Sequence, residues 1–257
     1  MSAFNLRSTW TIYKRELMRA LRTALQSILS PLLTTVLYFV VFGAAIGGRM
    51  DSGLDGVGYG AFIVPGLLML TLLGESTANG AFGIYMPRFT GTIYELLSAP
   101  VGFAETLVGF VGAAATKSVF LAAIILGTAT FFVDYTILHP FYAFAFILLV
   151  SATFSLFGFI LGIWADSFEQ VGMVPALFVM PLTFLGGTFY SIDVLPQPWN
   201  SIALANPMVY LVNGLRWCFY GQSDFPIALS LGMTLGFLAL CTLVIARIYA
   251  TGWRLRT

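Results

Sequence analysis

Charge is what this 257-residue chain lacks most. Asp, Glu, Lys and Arg make up 9% of it, against about 25% in ordinary soluble domains. That is too little for a water-facing surface, so the main solvent is lipid. A net charge of +1 offers no polyelectrolyte attraction and excludes nucleic acid as a partner. Cysteine is scarce too. Cys218 and Cys241 stand apart with no CxxC or His-Cys cluster near them, so neither a disulfide framework nor a zinc site is expected. The sole histidine, His139, precedes Pro140 and reads as a loop residue without a nucleophilic partner. His-Glu-x-x-His, Gly-x-Ser-x-Gly and carboxylate clusters at metal spacing are all missing. The two lysines, Lys14 and Lys117, follow Tyr13 and Thr116. A P-loop requires Gly-Lys-Ser/Thr, whose amides and ammonium hold the phosphates. This polypeptide therefore has no nucleotide site of that type, and no cofactor is expected on it.

What is present is oil. Hydrophobic residues are 59% of the chain and the mean hydropathy is +0.91. A membrane-spanning helix needs about 20 apolar residues, and the charges divide the chain into runs of that length. They predict an all-α integral membrane protein with six spans, near residues 28–48, 58–80, 111–132, 140–164, 170–190 and 226–249. The basic region before the first run is too long for a cleavable signal peptide, and that run too much resembles its successors. With both termini on one side, that side receives Arg7, Lys14, Arg15, Arg19, Arg22, Arg88, Arg247, Arg254 and Arg256. The opposite loops receive only Arg49 and Arg216, Lys117 being counted as embedded. The imbalance predicts cytoplasmic termini.

Three segments do not span. Residues 4–25 put Trp10, Tyr13, Leu17, Leu21 and Ala24 on one helical face and Arg15, Arg19 and Arg22 on the other. That is the pattern of a helix lying in the membrane interface against lipid. Residues 88–100 read "RFTGTIYELLSAP". Thr90, Gly91 and Thr92 suit a helix start and Pro100 a stop, giving about two turns that are marginal alone. Composition leaves a connector and a docking element equally open. Residues 191–225 are broken by Pro196, Pro198 and Pro207 and predict a re-entrant hairpin or short surface helices, forming a lid over the space between the spans.

Glu75 and Lys117 are the charges nearest the membrane interior. Glu75 is expected near the cytoplasmic end of the second span and Lys117 in the first turns of the third, where it snorkels to headgroups. The rival placement has Thr71, Glu75 and Asn79 lining a polar path, at the cost that charge carries in mid-bilayer. GxxxG spacings at Gly43/Gly47, Gly56/Gly60, Gly158/Gly162 and Gly232/Gly236 offer close helix packing.

Together these pieces resemble the ABC-2 type permeases, the membrane subunits of ATP-binding-cassette exporters. The likeness is carried by "RFTGTIYELLSAPV" and by "PLTFLGGTFYSIDVLPQPWNSIALANPMVYLVNGLR" at 181–216, and it covers nearly the whole chain. It implies a single transmembrane domain over 1–257 with a type V exporter-like fold, in a bacterial inner membrane. It further implies a homodimer paired with two copies of a separate cytoplasmic ATPase, on which ATP and Mg would be bound. Arg88, Gly91, Thr92, Tyr94, Glu95 and Leu96 would form the coupling helix that sits in a groove of that ATPase. A lipid, glycan or amphipathic drug-like substrate would move outward between the two copies, past Thr71, Glu75, Asn79, Phe184, Phe189 and Tyr190. The loop "ADSFEQ" at 165–170 is very short, which puts a second coupling contact in doubt. Two rivals are weaker. An integral-membrane transferase for a lipid-linked substrate would need Glu75, His139 and Asp166 brought together. An ion-coupled carrier would need midplane charges in several helices.

Overall fold

The computed structural model describes residues 4–22, 24–46, 56–99 and 101–254. Gly47, Arg49, Pro100 and Arg256, and the side chains of Ala24 and Leu96, lie outside the described residues. Every regular element among those described is helical. In order they are α1 (Leu6–Arg22), α2 (Ala24–Tyr38) with a π-helical continuation Phe39–Ile46, α3 (Tyr59–Phe89), α4 (Ile93–Ser98) and α5 (Phe103–Ala129). There follow α6 (Pro140–Trp164), α7 (Phe168–Val174), α8 (Met180–Leu185), α9 (Trp199–Leu204), α10 (Pro207–Tyr220) and α11 (Ile227–Thr251). Helices α7 and α8 are one rod interrupted by the π turn Pro175–Val179, where the proline withdraws a backbone donor. Among the described residues five segments are long and apolar enough to cross a bilayer, or six if the bent pair Leu6–Arg22 and Ser27–Gly43 counts as a span.

Helix α3 is the axis. In its most apolar stretch 78% is buried, against 17% in the α7–α8 rod and in α11. Its main partner is α6, and glycine sets the approach. A β-carbon on Gly158 would run into the carbonyl of Thr77, one on Gly162 into that of Ala81, and one on Gly80 into that of Ser155. The seam brings backbone against backbone, the use expected of the Gly158/Gly162 pair. Gly232 and Gly236 meet nothing and lie on an open face of α11.

Two span boundaries are corrected. α3 runs on to Phe89 instead of stopping near 80, and α5 begins at Phe103 instead of 111. Hydropathy falls off there, but tertiary contacts hold the extra turns. The Arg88 guanidinium donates to Gly162 O (2.9 Å), Ile163 O (2.5 Å) and Ala165 O (3.2 Å), neutralising the C-terminal end of α6. The Glu105 carboxylate, in the first turn of α5, accepts from Asn5 N at 3.0 Å.

The interfacial helix is also turned. Trp10 and Leu21, on the expected apolar face, are exposed, while Tyr13 and Leu17 are half-buried. The side packed into the protein is Thr9, Ile12, Glu16 and Ala20, lying along α5 where Gly109 makes room for Ile12. Small and polar residues fit that narrow contact, and the large rings are left for lipid.

Residues 191–225 fold as short helices rather than a free loop. Asn206 caps α10 by accepting from Met208 N at 3.0 Å, Pro207 takes the first helical position, and Gly221 ends it at φ 69°. α10 is not superficial: Val212, Asn213, Leu215, Arg216, Cys218 and Phe219 are buried. Arg216, counted as a loop charge, is thereby corrected to a wholly buried one.

Candidate functional site

The first candidate region lies along α3. A groove of about 330 Å³ opens between α2, α3 and the α7–α8 rod, walled by Pro31, Leu70, Phe82, Val171 and Met180 and by the side of Glu75. Thr71 lines it as well, its hydroxyl committed to Leu67 O at 3.1 Å. Next to it the Asn79 amide binds both ways. Its nitrogen donates to Glu75 O at 2.7 Å and to Glu75 Oε2 at 3.4 Å, and its oxygen accepts from Lys117 Nζ at 2.7 Å. Lys117 Nζ also comes to 4.0 Å of Glu75 Oε2. Lys117 is thereby corrected from a snorkelling charge to one turned inward onto Asn79 and Glu75. With the two helices extended, Glu75 lies about 24 Å along α3 and Lys117 about 21 Å along α5, at 1.5 Å per residue. Neither is at a helix end, and they form a pair instead of snorkelling separately.

The same face carries an aromatic cluster. Phe189 stacks on Phe42 with centroids 4.4 Å apart, and Tyr38 and Phe184 lie 5.4 Å and 5.3 Å from it. Tyr190 stands apart from the groove, its hydroxyl donating to Leu185 O at 3.2 Å. Of the six path residues, then, Thr71 and Glu75 line the groove. Asn79 braces its wall, Phe184 and Phe189 belong to the cluster, and Tyr190 is folded away.

A second region lies at the end marked by α4. Gly91, at φ 77°, makes the turn off α3, a left-handed conformation that glycine adopts freely. Thr92 is the cap residue of α4, and its hydroxyl meets that of Thr90 at 3.0 Å. Ile93 is buried and pins the short helix, while Tyr94 and Glu95 are exposed. Arg88 does not face outward with them; it is spent on α6. The 165–170 loop is an immediate neighbour. Phe168 packs edge-on against Tyr85 (4.9 Å) and Phe89 (4.8 Å), and Asp166 holds Arg254 at 3.0 Å. A cleft of about 200 Å³ lies between, lined by Ile93, Tyr94, Asp166 and Arg254. Short as it is, that loop helps build the surface from which α4 projects.

Besides Glu105, sequence reasoning missed the buried charges Glu16 and Arg216. Glu16 of α1 is 3% exposed and grips Arg19 Nε at 2.8 Å, both close to Gly83 of α3. Only its i, i+4 register with Ile12 and Ala20 marks it as inward. Arg216 lies over the Phe62 ring at 4.1 Å and donates to Gly187 O at 2.7 Å. Asp224 Oδ2 is 3.8 Å away. Burial pulls Arg216 down to about 10, with Asp224 opposing. His139, the remaining candidate acid or base, caps α6 and stacks on Trp217 at 4.6 Å. Asp166 is past the other end of α6, about 37 Å away at 1.5 Å per residue. Glu75, His139 and Asp166 thus do not form one site. Among the described residues no three His, Cys, Asp or Glu side chains gather as metal ligands.

Comparison with known proteins agrees with this architecture. The model of the family described as "ABC-2 type transporter" matches residues 7–220. "Inner membrane transport permease YadH" of Escherichia coli (strain K12) is 32% identical over 247 residues, 96% of each chain. "Nodulation protein J" of Rhizobium leguminosarum bv. viciae is 26% identical over 189 residues, 72% of each chain. An all-helical bundle, several spans and a match over most of its length lead to one conclusion: the chain belongs to the ABC-2 type transporter family, as a multi-pass inner-membrane transport permease.

Proposed function

We propose that this chain is the membrane subunit of an ATP-driven exporter. Two copies pair with each other and with two copies of a separate ATPase, which binds ATP and Mg. Both termini and α4 face the cytoplasm, and a lipid, glycan or amphipathic molecule moves outward along the face that carries the groove. α4 would be the contact that receives the ATPase stroke through Tyr94, Glu95 and Leu96, with Gly91 and Thr92 setting its angle and Arg88 anchoring its root. α1, with Trp10 toward lipid, Arg15 and Arg22 toward headgroups, and Tyr13 and Arg19 held against α5 and Glu16, would ride on α5 as the stroke passes.

One observation carries this reading. A chain with no P-loop presents a six-residue helix, pinned by Ile93 and swung out at Gly91, beside exposed Phe89 and Phe168. A helix so short has no stability of its own, and a motor supplied by another chain gives it a use. The test is co-expression with the ATPase encoded nearest to it. A stoichiometric complex is expected, with ATP-dependent uptake into inside-out vesicles. If no ATPase co-purifies, or uptake proceeds without nucleotide, the proposal fails.

A further inference from the structure

We infer that the groove between α2, α3 and the α7–α8 rod binds an amphipath bearing one positive charge, with Glu75 as its counter-ion. The volume, about 330 Å³, is in the range of small-molecule sites. The walls are mostly apolar, and among the described residues Glu75 is their only formal charge. Its carboxylate is committed on one oxygen alone. Oε2 faces Asn79 and Lys117, while Oε1 takes no hydrogen bond from any described residue. Lys117 does not line the groove. It is 7% exposed, and its shorter bond is to Asn79 Oδ1. It therefore steadies the carboxylate from within and leaves the groove side open.

That asymmetry selects the ligand. An anion would approach a carboxylate with no lining cation to receive it. A neutral amphipath without a donor would leave Oε1 desolvated and unpaired, and one with a hydroxyl would meet it more weakly than a charged group does. A cation satisfies the oxygen and finds π faces in Tyr38 and Phe82 on the same walls. A bare metal ion is not suited, since a single carboxylate supplies too few ligands.

The transport role of this site rests on the permease reading, but binding does not, so the two are tested apart. The permease alone, in lipid nanodiscs, is dialysed against tetraphenylphosphonium and against tetraphenylborate, ions of one shape and opposite charge. Empty nanodiscs give the lipid background. Saturable binding of the cation and none of the anion is expected. Glu75→Gln should weaken cation binding about tenfold, the loss of the coulombic attraction between the carboxylate and the phosphonium. Ala176→Trp, which keeps the carboxylate and fills the groove, should abolish it. Equal binding of the two ions, or cation binding unchanged in Ala176→Trp, overturns the inference, and the second variant decides even if the first misfolds. A groove occupied by a second copy of the chain would give an Ala176→Cys disulfide dimer and no cation binding, which also overturns it. An ATPase that co-purifies while the cation fails to bind refutes only the site. Cation binding without ATPase association refutes only the permease coupling.

Discussion

At the scale of the residue, the folded protein differs most from its sequence where charges meet. Glu75 and Lys117 are far apart in the chain, and hydropathy places both near helix ends. What joins them is a pair of helices longer than their apolar runs, with Asn79 as the bridge. Removing one member of a buried pair costs about 3–5 kcal/mol because the other is left unpaired. Glu75 is 25% exposed, so Lys117→Met should cost less, about 1–3 kcal/mol after discounting for solvent screening. The expected signature is a fall of several degrees in the Tm of the nanodisc-embedded protein. Adding Glu75→Gln should restore more than half of it, since no lone charge remains. Additive losses in the double variant would show that the two residues do not interact.

At the scale of the element, the legible features had local causes and the illegible ones did not. Five of the six expected spans follow from apolar runs, the first depending on the bent pair of α1 and α2, and α6 begins at Pro140 and ends at Trp164 where the composition predicts. α4 was readable from Gly91 and Thr92, since a turn needing positive φ writes itself into the sequence. The inward face of α1 was not readable. Its polar Thr9 and Glu16 look like solvent residues until Gly109 is set against Ile12. Nor was the depth of α10, because a 14-residue helix carries no hydropathy signal that separates a lid from a plug.

Two predictions belong to this scale. Gly158→Leu places a branched side chain against the Thr77 carbonyl, where backbone and not a flexible side chain must give way. The α3–α6 seam should open at a cost of 3 kcal/mol or more, roughly the upper end of overpacking penalties, and the protein should be lost to aggregation on extraction. Gly232→Leu meets open space and should extract as wild type; equal loss from both would refute the seam as the reason. Glu95→Arg, on the exposed side of α4, should leave insertion and ATPase assembly intact while cutting ATP-driven transport about tenfold or more. Wild-type transport in that variant would remove α4 from the coupling.

At the scale of the whole molecule, α2 exposes Leu29, Leu33 and Leu37 beside the groove, and two further apolar walls, α11 and the α7–α8 rod, are not equivalent. α11 turns Leu235, Leu240 and Leu243 outward and the α7–α8 rod turns out Leu177, Phe178 and Met180. Of these two, only the rod borders a groove containing a carboxylate and the hydroxyls of Ser30 and Thr34. Hydrocarbon tolerates apolar side chains but not such groups. Lipid therefore suits α11, whereas in the proposed dimer the rod would face the second copy across a wetted path. A cysteine at Leu177 should then form disulfide dimers in native membranes on mild oxidation, and one at Leu240 should not. The native thiols, Cys218 and Cys241, are buried and leave little background. Cross-linking through Leu240 and not Leu177 would place the dimer on the opposite wall and leave the groove facing lipid. The cation site would then be entered from the bilayer instead of from a channel between copies.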